Sequence, residues 1–159
     1  MGARKPLSAY NINFSVRSRA VVRIPEQPDS AGGLLERELL AVARRVATRI
    51  RQDRESRPEL KGVRALGLWL PSQRLAQISM NLTQPELSPL PPLFDAVCAY
   101  WREEAELSAV NSPEILLPDV WSEVIGLIPD GSLNGEPPER IVWRGFQPKQ
   151  LLNYWLDRL

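Results

Sequence analysis

The middle of the chain holds two apolar segments of eight residues each, separated by a four-residue turn. The segments are VRALGLWL at residues 63–70 and LAQISMNL at residues 75–82, and PSQR at residues 71–74 joins them. Two such segments around so short a turn predict an antiparallel β-hairpin. The elements on either side of this hairpin decide which fold it belongs to.

A strand and a helix are predicted before the hairpin. Residues 8–14, SAYNINF, alternate between large apolar side chains and small or amide side chains, as in a half-buried strand. From Leu34 to about Gln52 the spacing changes to that of an amphipathic helix. Its apolar positions are Leu35, Leu39, Val42, Val46 and Ile50. Residues 15–33, between these elements, are predicted to be mostly loop, with RAVVRI as a candidate for a short edge strand.

A second helix and a last strand are predicted after the hairpin. The helix spans about residues 91–108 and begins among prolines, which the first turn of a helix tolerates. Its apolar face comprises Phe94, Val97, Cys98, Trp101 and Ala105. EVIGLIP at residues 123–129 predicts the last strand, and EILL at residues 114–117 predicts a short additional strand before it. Residues 147–159 predict a short amphipathic helix at the C-terminus.

The order of these elements is strand, helix, strand, strand, helix, strand. With a hairpin in the middle, this order is typical of the split βαβ arrangement of ferredoxin-like domains. The sequence therefore predicts an α+β fold, a ferredoxin-like βαββαβ domain that includes all 159 residues. Both helices should cover one face of an antiparallel sheet and leave the other face open.

The open face of this sheet is predicted to be rich in uncharged amides. The first and third strands are neighbours at the centre of such a sheet, and their side chains that point away from the helices are Asn11, Asn13, Gln77, Ser79 and Asn81. Amides supply both hydrogen-bond donors and acceptors, so this face suits a neutral heterocycle with amide edges of its own. The alternative interpretation is the solvent side of a one-sided sheet, although amides are depleted in strands. No aspartate or glutamate is expected on this face.

The composition excludes several kinds of site. The 159 residues include no histidine and one cysteine, Cys98, so neither a metal site nor an internal disulfide is predicted. A net charge of +1 creates no field that would attract nucleic acid or an anionic membrane, and neither is an expected partner. No run of about 18 apolar residues is present to span a membrane. A single cysteine fits a reducing compartment, so a cytoplasmic location is expected.

Three segments resemble one known family, in the order in which they occur. GARKPLSAYNINF at residues 2–14 resembles the strand that opens the C-terminal subdomain of glutamate formiminotransferase, also called glutamate formimidoyltransferase. The hairpin with the helix that follows it, and EVIGLIP at residues 123–129, resemble the later segments of that subdomain. The resemblance covers roughly residues 2–14 and 34–129, and it implies a transferase.

The resemblance implies a role in one-carbon metabolism. Members of this family transfer the formimino group of formiminoglutamate to tetrahydrofolate during histidine degradation, and the folate lies in a tunnel between the sheets of two ferredoxin-like subdomains. The chain is thus expected to be the folate-binding half of such an enzyme, with tetrahydrofolate as its ligand. The family's catalytic histidine belongs to the N-terminal subdomain, which is expected to be missing here, so no catalytic residue is predicted in this chain.

The resemblance also implies folate-binding positions. Arg49, Ile50 and Arg51 match a stretch that the family uses near folate, and Arg51 is the expected partner of the glutamate carboxylates of folate. The alternative for Arg49 and Arg51 is a pair of cations favoured by the dipole at a helix C-terminus. Arg4 and Lys5 have the same two interpretations, contacts with the ligand tail or an ordinary basic terminus. The predicted folate-binding residues are Arg49, Ile50, Arg51, Asn11, Asn13, Gln77 and Asn81.

Other features depart from the family or predict packing alone. Residues 15–33 are an expected insertion, and residues 131–159 are an expected divergent C-terminal extension. Cys98 is predicted to be a core residue, because it lies on the apolar face of the second helix. The acidic side chains near the end of that helix are predicted to form a solvated face, and they are Glu103, Glu104 and Glu106.

Three functions remain open on the sequence. The first is the folate-binding half of a formiminotransferase, which would work with an N-terminal subdomain on a separate chain or with a second copy of itself. By itself this half is predicted to be inactive, because the catalytic histidine is absent. The second is a non-catalytic folate-binding or protein-interaction module derived from the family. The third is a generic ferredoxin-like interaction domain.

Overall fold

The computed structural model describes residues 8–15, 31–108 and 112–152 and has an α+β fold. Its helices and strands are β1 (Ser8–Ser15), α1 (Ala31–Asp53), β2 (Val63–Leu70), β3 (Leu75–Leu82), α2 (Leu90–Glu106), α3 (Pro113–Leu116) and β4 (Asp119–Ile125). The strands form one antiparallel sheet in the order β2-β3-β1-β4. This is the ferredoxin-like order, so the predicted fold class is confirmed.

The helices pack on one face of the sheet through the predicted apolar positions. Tyr10, Ile12 and Phe14 of β1 are buried on this face, and the ring of Phe14 stacks on Trp101 of α2 with the ring centroids 3.9 Å apart. The fully buried side chains that meet them from α1 and β3 are Leu39, Val42, Val46, Ile50, Ile78 and Met80. A slip of one residue would exchange the two faces of a strand, so the stacking of Phe14 on Trp101 of α2 confirms the predicted register.

Close packing of α1 on the sheet depends on Gly67 of β2. A Cβ atom at this position would lie 2.5 Å from the backbone carbonyl carbon of Ala43 on α1, well inside van der Waals contact. Glycine therefore lets the backbone of the helix approach the backbone of the edge strand. This approach places the middle of α1 against β2, one to two turns before the predicted folate-binding arginines.

Two predictions about the region after α2 are wrong. EILL at residues 114–117 is not a strand, since α3 spans Pro113–Leu116. The last strand spans Asp119–Ile125 rather than residues 123–129, because Gly126 has a φ of 93° and interrupts the extended backbone there. The strand therefore includes residues 119–122, which the predicted strand left out.

Some predictions concern residues that the structure describes only in part. Arg4, Lys5 and most of the expected insertion at residues 15–33 lie outside the described residues, although α1 already begins at Ala31. In the predicted C-terminal helix, the described residues form a 3₁₀ turn at Pro148–Gln150, and residues 153–159 lie outside the described residues.

The segment after β4 runs beside the outer edge of that strand. Parallel bridges join Ser122 to Trp143 and Ile128 to Leu151, and the side-chain Nε2 of Gln150 donates to the carbonyl oxygen of Val124 at 2.8 Å. These contacts satisfy backbone groups that an open sheet edge would leave unpaired. Residues 142–152 therefore cover this edge of the sheet.

The sequence predicted that the acidic end of α2 is a solvated face, but one of its three glutamates is buried. Glu104 is 8% exposed and accepts a hydrogen bond of 3.0 Å from Nε of Arg45 on α1. Arg49 lies 3.5 Å from the other carboxylate oxygen of Glu104 and 2.6 Å from Glu103. The prediction of a solvated face is wrong for Glu104, which joins the two helices.

Candidate functional site

The open face is built around the two amides of β1. Asn11 lies between Ser79 of β3 and Glu123 of β4, and Asn13 lies between Gln77 of β3 and Trp121 of β4. All of these side chains point away from the helices, because their neighbours along each strand are the core residues. We call this set of six residues the amide strip.

The two ends of the open face differ in exposure. Asn13 is 0% exposed, Gln77 7% and Asn11 9%, whereas Asn81, one residue pair beyond the strip, is exposed to solvent. The interpretation as the solvent side of a one-sided sheet therefore describes only the end at Asn81. At the other end, side chains are buried on both faces of β1: apolar ones on the helix face, and polar ones on the face away from the helices.

Hydrogen bonding satisfies the amide strip only in part. Gln77 Nε2 donates to Asn13 Oδ1 at 2.9 Å, and Asn11 Nδ2 donates to Glu123 Oε1 at 3.4 Å. The remaining atoms of the two amides, Asn11 Oδ1 and Asn13 Nδ2, are buried and have no hydrogen-bond partner. Each unsatisfied buried group costs roughly 1–3 kcal/mol, so a free acceptor and a free donor on one face need an explanation.

Sequence reasoning missed the residues that β4 adds to this face. Asp119, Trp121 and Glu123 alternate with the buried Ser122 and pair with β1 on the open side. The expectation that no carboxylate lies on this face is therefore wrong. The signal was present in the alternation of Val120, Ser122 and Val124, but the apolar residues after Glu123 favoured a later strand.

An arginine from the C-terminal segment borders the amide strip. The guanidinium of Arg144 lies 4.9 Å from the centroid of the Trp121 ring, and its Nη2 is 3.5 Å from Asp119. Arg144 is brought there by the bridge between its neighbour Trp143 and Ser122 of β4. A cation over an indole ring stabilises the ring's position, so the contact with Arg144 favours the observed placement of Trp121 in the strip.

Two of the predicted folate-binding residues lie in the helix layer, on the opposite side of the sheet. Arg49 pairs with acidic residues of α2 and places its guanidinium 4.1 Å from the centroid of the Tyr100 ring. Ile50 is fully buried in the core. The structure does not bring either side chain together with the amides of Asn11, Asn13 and Gln77.

Arg51 has a different position, at the edge of the sheet formed by β2. Its Nη1 donates to the carbonyl oxygen of Ala65 and its Nη2 to Thr48 Oγ1, both at 3.0 Å. Beside it is an open groove of about 290 Å³, lined by Arg44, Ala47, Thr48, Arg51, Leu66 and Gly67. Leu66 pairs with Ser79 and is 55% exposed, so the groove lies where the open face meets this edge.

Cys98 and Trp69 are partly buried and pack against the core. Burial raises the pKa of the Cys98 thiol to about 12. Among residues 8–15, 31–108 and 112–152, no group of three or more cysteine, aspartate or glutamate side chains is arranged to hold a metal ion. The described helices include none that is both long and apolar enough to cross a membrane.

The fold and the amide strip together define a class: a ferredoxin-like α+β domain whose sheet carries polar side chains on the face away from the helices. Comparison with known proteins identifies the family within this class. Residues 9–134 match the formiminotransferase domain, and the chain belongs to this family. This confirms the resemblance found in the sequence.

Relatives of known activity include three vertebrate formimidoyltransferase-cyclodeaminases. The chain is 34% identical to the protein from Sus scrofa over 132 residues, and 30% identical to those from Gallus gallus and Mus musculus over 131 residues. Each match covers 80% of this chain. The chain spans about 18% of the length of these relatives, so it corresponds to one part of a much larger protein.

Proposed function

We propose that this chain provides the folate-binding wall of a glutamate formiminotransferase. The observation that carries the proposal is the amide strip, which holds an unpaired acceptor and an unpaired donor on a buried part of the open face. Reduced folate has a neutral heterocycle with both kinds of group along its edge. Membership of the formiminotransferase domain family supports this ligand over other heterocycles.

The proposed binding path runs from the amide strip to the edge of the sheet. Asn11, Asn13 and Gln77 bind the pteridine, and Asn81 lies at the exposed end of the same face. Two strand spacings, about 10 Å, separate β1 from β2, where Arg51 lies beside the groove. Arg51 binds a carboxylate of the glutamate tail, since a guanidinium is the natural partner of such a group.

Arg49 and Ile50 have an indirect role in this proposal. Arg49 joins α1 to α2 through its acidic partners, and Ile50 anchors the end of α1 in the core. Both therefore hold the segment that carries Arg51, without contact with the ligand. Of these three adjacent residues, Arg49 and Ile50 pack within the fold and Arg51 binds the ligand.

The chain is proposed to bind rather than to catalyse. Formimino transfer requires proton transfer by a group that titrates near neutral pH, and the 159 residues include no histidine. The chemistry is supplied by a second formiminotransferase subdomain, which closes over the open face and works with this chain in the cytoplasm. We expect the purified chain to show no turnover of formiminoglutamate with tetrahydrofolate, and measurable turnover by the chain alone would contradict this division of labour.

Isothermal titration calorimetry tests the binding proposal. The 159-residue chain is titrated with 5-formyltetrahydrofolate, first alone and then with a formiminotransferase N-terminal subdomain. Asn81→Ala and Arg51→Ala should each weaken binding, and the added subdomain should tighten it by burying the pteridine.

Two exposed residues of α1 provide matched controls for these variants. Gln52→Ala removes an amide and Arg37→Ala removes a guanidinium, both from exposed positions of α1. Neither control should change the affinity. Binding that is absent with and without the added subdomain would exclude the proposal. Binding that survives Asn81→Ala and Arg51→Ala unchanged would exclude the proposed path.

A further inference from the structure

We propose that Glu123, together with Asn11 and Asn13, recognises the 2-amino-4-oxo edge of the pteridine and so determines which heterocycle this face accepts. The inference rests on the proposed function, because it assumes that the amide strip binds a reduced folate. It goes further by assigning a residue of β4 that neither the sequence nor the family comparison singled out. A ligand of this face must match one hydrogen-bonding pattern, which these three residues define.

The unsatisfied atoms define that pattern. Glu123 offers carboxylate oxygens, which accept only, Asn11 offers Oδ1 as a second acceptor, and Asn13 offers Nδ2 as a donor. The amino group, the ring N–H and the oxo group of a 2-amino-4-oxo pteridine present donor, donor and acceptor in that order. The two series are complementary at all three positions.

The hydrogen bonds already made on the strip fix the orientation of the amides. A carboxylate accepts only, so Asn11 must present its NH₂ group to Glu123, and its oxygen then remains for a ligand. Gln77 occupies the oxygen of Asn13, which leaves the nitrogen. In the described part of the chain Glu123 takes part in a single hydrogen bond, the one from Asn11, and in no ion pair.

The spacing of these groups suits one ring. Asn11 and Asn13 are two residues apart on one strand face, which separates their side chains by about 7 Å. The edge of one heterocyclic ring bridges such a span with a hydrogen bond at each end. Glu123 is the direct cross-strand partner of Asn11, so it meets the same edge of the ring from β4.

Both unpaired amide atoms are closed to water in the free chain. A ligand therefore reaches them only after neighbouring side chains move apart, and the free energy of that opening lowers the measured affinity. Glu123 is half-buried and forms the accessible side of the strip. Its carboxylate is the group that a ligand meets first.

A comparison of two ligands and two variants tests this assignment. The ligands are tetrahydrofolate and its 2-desamino-2-methyl analogue, which lacks the amino group but keeps the rest of the molecule. Glu123→Gln keeps the shape of the side chain and replaces one acceptor oxygen with a donor. Glu139→Gln, at an exposed position of the C-terminal segment, is the matched control.

Glu123→Gln should weaken tetrahydrofolate binding by about 10- to 100-fold, the usual range for loss of a hydrogen bond to a charged group. It should change the affinity for the desamino analogue by less than about threefold, and Glu139→Gln should affect neither ligand. Equal effects of Glu123→Gln on the two ligands, or no effect on either, would overturn the assignment while leaving folate binding intact. Failure of the wild-type chain to bind tetrahydrofolate, both alone and with the added N-terminal subdomain, would overturn the proposed function and this inference with it.

Discussion

The two faces of the sheet share the same strands but differ in how well their buried side chains are packed and hydrogen-bonded. On the helix face, Ile12 and Phe14 fill a packed core, and Phe14 stacks on Trp101. On the open face, Asn11 and Asn13 are buried nearly as deeply, yet each keeps one unpaired polar atom. The first arrangement stabilises the fold, and the second lowers its stability. We propose that ligand binding accounts for this difference.

The largest expected effect concerns the core. Trp101→Ala removes the ring that stacks on Phe14 and the hydrogen bond from its Nε1 to Ile115 at 2.9 Å, and should lower the free energy of unfolding by about 3–5 kcal/mol. Trp121→Ala, on the open face, should lower it by about 1 kcal/mol. Urea unfolding followed by circular dichroism measures both. Equal losses would show that the two faces contribute alike to stability.

Close packing of α1 gives the next largest effect. Gly67→Ala places a Cβ against the backbone of Ala43 and should lower the free energy of unfolding by about 3 kcal/mol. Gly131→Ala is the control, since no atom lies within 4 Å of a Cβ built there, and it should change stability by at most about 0.5 kcal/mol. A Gly67→Ala variant as stable as the wild type would mean that α1 does not approach β2 as closely as described.

The amide strip should respond differently to single and double changes. Gln77→Leu leaves Asn13 Oδ1 without its donor and should lower the free energy of unfolding by about 1–2 kcal/mol. The double variant Asn13→Leu, Gln77→Leu removes both partners, so it should recover this loss and lose folate binding. Thermal unfolding and calorimetry on the same samples separate the two effects. A double variant that still binds the ligand would contradict the role of the strip.

The smallest effect concerns the thiol of Cys98. Burial raises its pKa from 9.0 to about 12, so the folded chain keeps the proton at a pH where the unfolded chain loses it. The protonated Cys98 thiol therefore makes its full contribution to the free energy of unfolding below pH 9.0. This contribution is lost as the pH rises towards about 12. Cys98→Ala should flatten this alkaline part of the stability curve. Rapid alkylation of the folded wild-type chain by iodoacetamide at mildly alkaline pH would show that the thiol is not buried.

The parts of the fold with strong periodicity could be predicted from the sequence. The hairpin, the register of β1 and the apolar faces of both long helices follow from local alternation or helical spacing, which burial of the apolar side reinforces. The position of β4 could not be predicted, because the residues on both sides of Glu123 include apolar ones and the strand ends at Gly126. An error of four residues in that strand left Asp119 and Trp121 out of the predicted sheet, and Glu123, which began the predicted strand, was not assigned to the open face.

The other features that could not be predicted depend on contacts between residues far apart in the sequence. Nothing local to Glu104 shows that Arg45 of α1 will bury it, and nothing near Arg144 shows that it will stack on Trp121. The same limit applies to Arg49, Ile50 and Arg51, which are adjacent in sequence but point to different sides of α1. Their separation into helix-layer and edge positions depends on how the helix lies on the sheet.

Nuclear magnetic resonance of the side-chain amides can show whether folate binds at the amide strip. The NH₂ signals of Asn11, Asn13 and Gln77 are assigned in the 159-residue chain and followed during titration with 5-formyltetrahydrofolate, with the exposed amide of Gln52 as the internal control. Binding at the amide strip should shift the three strip signals together, with one affinity, while the Gln52 signal stays in place. Ligand-induced shifts confined to other parts of the chain, with the three strip signals unchanged, would contradict the claim that the amide strip is the folate site.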